Sequence, residues 1–217
     1  MHRIEIGPVT VHALDGNCET NCVIISGDRE RPPFFDAFDR TKASLFSVSC
    51  PDWNACLSPW PVDACFKGGK AFAGKAEEYL SVLTKTVLPE AEAYFHIKPQ
   101  RRMIMGYSLA GLFSLYAFLE TGLFTHAASV SGSLWFDGFI DYLSEKTPPD
   151  ICRGVYLSLG DREPNTKNER LRTVGSATER ACLILKDKNL NVRYELNPGN
   201  HFQACDARML RALNALI

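Results

Sequence analysis

The sequence predicts an α/β fold: a mostly parallel sheet covered by helices on both faces, with an antiparallel hairpin at its start. Three observations predict it. Short apolar segments bounded by turn residues, "NCVIISG" (21–27), "ASLFSVSC" (43–50) and "GVYLSLG" (154–160), read as strands buried on both faces. They alternate with longer stretches whose apolar residues recur at helical spacing. The opening "RIEIGPVTVHAL" (3–14) alternates instead and breaks at Gly7-Pro8, the pattern of a hairpin.

The remaining elements follow in order. Between 74 and 88, Tyr79, Leu80, Leu83 and Val87 form one helical stripe. Pro89, lacking an amide hydrogen, ends or kinks that helix. A strand at 101–107, a helix at 109–121 with Gly122 as its C-terminal cap, and a strand at 126–131 come next. Then follow a short helix around 137–145, the strand at 154–160, a helix at roughly 168–187 and the strand "NVRYELNPG" (191–199). The last helix, 203–217, carries Met209, Leu210, Leu213 and Ile217 on one stripe. No repeat or linker interrupts the pattern, so one domain over 1–217 is expected.

With 217 residues and 46% apolar content, the chain can bury a full core. Its 24 basic side chains nearly balance 25 acidic ones, leaving no long-range field to attract nucleic acid. The apolar runs fall far short of the roughly 20 residues of a membrane helix. The start also lacks the apolar stretch of a signal peptide. A soluble, cytoplasmic protein with neither a nucleic-acid nor a membrane partner is the expectation, and the oligomeric state has no signature here. The eight cysteines show no CxxC pair and no zinc-finger spacing, so they are expected as reduced, mostly buried thiols.

The chemistry centres on "GYSLAGLF" (106–113), which stands between an apolar strand and a helix. A serine hydroxyl is a poor nucleophile unless a base takes its proton, and it must be exposed to reach a carbonyl. A sharp strand-to-helix turn exposes it, provided that the residues two before and two after are small. Gly106 and Ala110 meet that demand around Ser108, and Gly111 adds room. The base must come from later in the chain. His201 lies in "NPGNHF", directly after a strand and ahead of the last helix. His126 begins its strand at the opposite edge, His96 precedes a strand, and His2 and His12 belong to the hairpin. The acid that orients the imidazole should follow the intervening strand, where "GDREP" offers both Asp161 and Glu163. Glu163 stands far enough beyond Gly160 to turn towards the histidine, whereas Asp161 could cap the turn.

Together "GYSLAGLFSLYAF", "SVSGSLWF", "LSLGDREPNTKN" and "PGNHF" resemble the Putative esterase family of α/β-hydrolases, which includes enterochelin-esterase-like and esterase-D-like enzymes. The likeness spans roughly 100–217, and "DWNACLSPWP" looks like an added signature of one bacterial branch. It implies an α/β-hydrolase three-layer αβα sandwich and a serine esterase mechanism, with Ser108 as nucleophile, His201 as base and Asp161 or Glu163 as acid. Hydrolysis of a small-molecule ester with no metal and no organic cofactor is expected. The alternatives are an acyltransferase on the same residues, or an inactive hydrolase fold kept for ligand or partner binding.

Such chemistry needs donors for a developing oxyanion. The amide of Leu109 at the start of its helix is one candidate, and Asp28, with Gly27 beside it, is the other. The long irregular stretch 50–72 holds Trp53, Trp60, Phe66 and Phe72, either as a pocket for an apolar or aryl group or as packing for the loop. Trp135, after another strand, is a further candidate for the pocket, and Ser131 and Ser133 read as turn residues.

Overall fold

The computed structural model describes residues 2–27 and 30–217. Its first half runs β1 (His2–Ile6), β2 (Val9–Leu14), β3 (Thr20–Ser26), β4 (Ser44–Ser49), α1 (Trp53–Cys56), the two-residue strands β5 (Pro61–Val62) and β6 (Phe72–Ala73), α2 (Ala76–Val82) and α3 (Leu88–Tyr94). The second half runs β7 (Arg101–Tyr107), α4 (Leu109–Glu120), β8 (His126–Val130), α5 (Phe139–Glu145), β9 (Gly154–Gly160), α6 (Glu169–Arg172), α7 (Val174–Asp187), β10 (Asn191–Asn197) and α8 (Cys205–Leu216).

Eight strands form one sheet in the order β1-β2-β4-β3-β7-β8-β9-β10. The hairpin pairs Ile6 with Val9 across Gly7-Pro8, and β2 lies antiparallel to β4. Every other neighbour pair is parallel. The chain is thus an α/β-hydrolase-type three-layer sandwich with an N-terminal antiparallel hairpin, as the sequence predicts.

Alternate residues of each strand feed two cores. Val23, Ile25 and Ile104 face a core closed by α2 to α5 and α7. Cys22, Ile24, Met103 and Met105 face the other core, closed by α8 and a 3-10 turn at Pro33–Ala37. Both faces are covered, which is why the parallel strands read as continuous apolar runs. In α4 every residue from Leu109 to Leu119 is buried, the state expected of a helix apolar all round.

Three element boundaries differ from the sequence reading. Pro89 does not end its helix. The run goes on to Tyr94 through a π turn at Leu83–Val87, where the Leu88 amide donates to the Leu83 carbonyl, and Pro89 sits in the first turn of α3. A wider turn just before proline relieves the ring's clash and its missing donor. The stretch 168–187 divides into α6 and α7 at Thr173, with α6 capped by the Asn168 side chain, which accepts from the Arg170 and Leu171 amides. Gly122 is not the cap of α4. Thr121 ends the helix in extended backbone (φ −124°, ψ 145°), so no left-handed residue is needed.

All eight cysteines are free thiols, four of them buried. Among the described residues no helix is long and apolar enough to cross a membrane.

Phe113 on α4 is fully buried and its ring lies 5.3 Å from that of Tyr79. Phe113→Ala should cost about 3–5 kcal/mol, since the packed surroundings close only partly around the lost ring. Urea unfolding reads this directly, and a loss under about 1 kcal/mol would contradict the packing described.

Candidate active site

Strands β7, β8, β9 and β10 are consecutive neighbours in the sheet and parallel, so the segments that follow them gather along one edge. Ligands of open parallel sheets bind at that edge.

Ser108 directly follows β7. It holds φ 58° and ψ −123°, a conformation that L residues avoid, and α4 begins at the next residue. Such an arrangement needs bare backbone nearby. A Cβ on Gly106 would lie 2.6 Å from the Ala110 Cβ, and one on Gly111 would lie 2.9 Å from the Ser129 hydroxyl. The methyl of Ala110 is tolerated because Gly106 has none. Two backbone bonds pin the turn: the Ser108 amide donates to the Val130 carbonyl (3.0 Å), and the Ser133 amide donates to the Ser108 carbonyl (3.0 Å).

His201 stands in the loop after β10. Its Nε2 lies 3.0 Å from Ser108 Oγ, and its Nδ1 lies 2.7 Å from Glu163 Oε2. The Tyr107 hydroxyl donates to the His201 carbonyl at 2.7 Å, which steadies the loop. Ser133 Oγ is also near Ser108 Oγ, at 3.4 Å.

Glu163 is 3% exposed in its side chain and sits on a tight turn after β9, its amide bonded to the Gly160 carbonyl. Its Oε1 accepts from the Gly160 amide (2.7 Å) and from Arg208 Nη1 (3.0 Å). Burial pushes its carboxyl pKa up, but the hydrogen bonds from His201 and from the Gly160 amide outweigh burial and hold it below the usual carboxylate range. Gly160 must lack a side chain for this, since a Cβ there would meet Glu163 Oε1 at 2.9 Å. Asp161, the other candidate, does not reach the imidazole. Its carboxylate accepts from the Gly199 amide at 2.8 Å and its own amide bonds the Asn197 carbonyl, so it braces the turn after β9 against the loop after β10.

The oxyanion candidates are placed in part. Leu109 is the first residue of α4, where an amide has no acceptor within its helix. The register pairs Ile25 with Gly106, so Gly27 follows β3 at the sheet edge where Ser108 follows β7. Asp28 lies outside the described residues.

Ser108, Glu163 and His201 line a cavity of about 520 Å³. Phe66, Trp135, Leu171, Val174 and Phe202 give it apolar walls, and Arg162, Asn165, Thr166 and Asn200 supply polar ones. Trp135 is therefore where the sequence suggested. Trp53 and Trp60 do not line this cavity. Trp53 packs its ring against the Cα side of Gly27, 3.0 Å from where a Cβ would stand. Trp60 donates its indole hydrogen to the Asp137 carbonyl and lies among Phe136, Phe139 and Tyr142. Neither ring stands at the cavity that holds Ser108. Phe202 was missed although it adjoins His201. Arg208 was missed too, its only signal being a cation on the apolar stripe of α8, one turn from Ala212. Among the described residues no group of three His, Cys, Asp or Glu side chains could hold a metal ion.

This is the sheet and edge of the α/β-hydrolase class. A family model described as "Putative esterase" matches residues 42–213, and the chain belongs to that family. It is 28% identical over 134 residues to "Uncharacterized protein YbbA" of Bacillus subtilis, across 60% of this chain and 54% of that one. It is 27% identical over 123 residues to the apo-salmochelin esterase of Escherichia coli O6:H1, across 55% of this chain and 39% of that one. The matched stretch thus spans about half or less of these curated relatives. The enterochelin esterase from Shigella flexneri superposes with a TM-score of 0.73 at 17% identity, covering 96% of this chain and 54% of that one.

The depressed Glu163 pKa ties stability to pH. A carboxyl held below its unfolded value, about 4.3, contributes fully above that value and loses its contribution as pH falls through the lower folded value. The stability gap between wild type and Glu163→Gln should therefore not narrow until pH enters the carboxylate range, as read by urea unfolding at successive pH values. A gap already closing near neutral pH would mean that the carboxyl titrates high.

Proposed function

We propose that the protein is a carboxylic-ester hydrolase that acts through an acyl-enzyme on Ser108, with the chain acting as one domain. The observation that carries this reading is the relay of Ser108 Oγ, His201 and Glu163 at 3.0 and 2.7 Å, with the serine on a strained, half-buried turn that lines the cavity. Membership of the esterase family supports it.

In the first step Ser108 Oγ attacks the ester carbonyl carbon while His201 Nε2 takes the hydroxyl proton. Glu163 holds the imidazole by Nδ1 and stabilises its cationic form without accepting the proton itself. The negative charge on the former carbonyl oxygen faces the Leu109 amide at the N-terminus of α4, with the loop at Gly27 and Asp28 as the second source of a donor. Collapse expels the alcohol, which receives the proton from His201. Water then attacks the acyl-serine by the same route, giving the acid and free Ser108. The substrate is a small-molecule ester, consistent with the cavity's size and with relatives named as esterases of salmochelin and enterochelin. Its apolar walls, Trp135 among them, suit an apolar or aryl group.

Ser108→Ala should abolish hydrolysis of short-chain aryl esters and labelling by a fluorophosphonate probe while the fold is kept. A folded variant that still hydrolyses them removes Ser108 from the reaction. The two acids are separable in the same assay. Glu163→Gln should lower kcat by up to about four orders of magnitude, because an amide can support the wrong imidazole tautomer. Asp161→Asn should cost far less, and the reverse order would make Asp161 the acid.

A further inference from the structure

Behind the three residues lies Arg208, which is 2% exposed, and its guanidinium meets the ends of four consecutive parallel strands. Nη1 donates to the Tyr107 hydroxyl at the end of β7 (3.3 Å), to Ser131 Oγ after β8 (3.0 Å) and to Glu163 Oε1 after β9 (3.0 Å). Nη2 donates to the Pro198 carbonyl after β10 (2.9 Å). The Tyr107 hydroxyl passes the connection on to the His201 carbonyl.

We propose that Arg208 is a positioning residue for hydrolysis, holding Glu163 with Oε2 turned to His201 and anchoring the His201 loop. The inference rests on the roles given above to Ser108, His201 and Glu163. A glutamate has one more torsion than an aspartate, so its carboxylate needs more fixing. Here Oε1 is occupied by two donors, the Gly160 amide and Arg208, which leaves Oε2 for the imidazole. The backbone is shaped around the guanidinium as well. A Cβ on Gly160 would lie 2.8 Å from Nη2, and one on Gly199 would lie 3.3 Å from it. Stability alone does not account for this placement, because a buried ion pair is often no better for the fold than apolar residues of the same shape. Lysine replaces the fork only in part, since one ammonium cannot take the places of both Nη1, with its three acceptors, and Nη2, which reaches the Pro198 carbonyl.

The test is a double-mutant cycle on kcat and KM for a short-chain aryl ester. Arg208→Met should lower kcat about 10–100-fold, as losing a partner that orients a metal-ligating histidine does, with KM moved less than about threefold. Arg208→Lys should fall between wild type and Arg208→Met. With Glu163→Gln already present, Arg208→Met should lower kcat by less than about threefold more, since the residue it acts through is gone. An equal loss in both backgrounds overturns the proposal, as does a loss under threefold in the wild type. Should Arg208→Met alone not fold, the cycle runs with Arg208→Lys, and the proposal then requires at least a threefold loss beside Glu163 and no further loss with Glu163→Gln present. Activity retained by Ser108→Ala would bring down the underlying reading. An inactive Ser108→Ala with a fully active Arg208→Met brings down only the role of Arg208.

Discussion

The backbones of β7 and α4 nearly touch at Gly106 and Ala110, and the edge chemistry depends on that approach. Holding Ser108 at φ 58° costs about 1–3 kcal/mol, as sparsely populated backbone conformations do. The turn does not relax because its surroundings outweigh the strain. The Ser108 amide and carbonyl each have a backbone partner from β8 or the loop after it, at about 1 kcal/mol apiece. The helix that starts there is buried along nearly its whole length, and each large apolar side chain on it adds roughly 1.5–3 kcal/mol. Releasing Ser108 would mean moving α4, so the strain stays and the hydroxyl stays turned to the cavity.

Electrostatics add a second constraint, because an ionised carboxylate at 3% exposure is unfavourable unless it is paired. Glu163 is paired three times over: by the Gly160 amide, by Arg208 and by His201. Removing one partner from a buried ion pair typically costs about 3–5 kcal/mol, whereas the intact pair adds little net stability. Arg208 and Glu163 therefore specify an arrangement more than they strengthen the fold. Asp161, half exposed and bonded to a loop amide, carries no such demand, and its carboxylate is free to serve the turn.

Most of the sheet was legible in the sequence because strands covered on both faces leave continuous apolar runs, and α4 leaves an apolar segment too long for a strand. Two of the three misread boundaries share a cause: in each, a local signal was overridden by nearby geometry. Pro89 is accommodated by a π turn that no residue type announces, and Thr121 leaves the helix before Gly122 can cap it. Ser108, Glu163 and His201 were readable because their positions follow from where strands end. The tryptophans were not, because ring content says nothing about the side a loop turns inward. Trp60 is claimed by Asp137 and three aromatic rings, and Trp53 by the bare backbone of Gly27. Arg208 was visible as a cation on an apolar stripe. Such a residue is ordinarily a stem lying over the core with its charge in water, and only the fold shows this head turned inward.

The relay and the most exposed parts of the cavity wall come from different parts of the chain. Ser108, Glu163 and His201 each follow a parallel strand within a short turn, and right-handed crossovers through helices return every such strand to the same edge. Their chain order, serine, acid, histidine, is the strand order β7, β9, β10 read across the sheet. Part of the cavity wall belongs to the same strand-end segments, with Trp135 after β8 and Phe202 beside His201, and part comes from elsewhere: Phe66 from the long loop before α2, and Leu171 and Val174 from α6 and α7. Phe66 is 61% exposed and Phe202 is 86% exposed, so neither ring is held by the core. A change at either would alter what the cavity admits with little effect on the sheet, whereas a change at Gly106 or Gly160 would disturb the relay itself. The relay is therefore set by where strands end, and the wall least held by the core, Phe66 and Phe202, stands on loops.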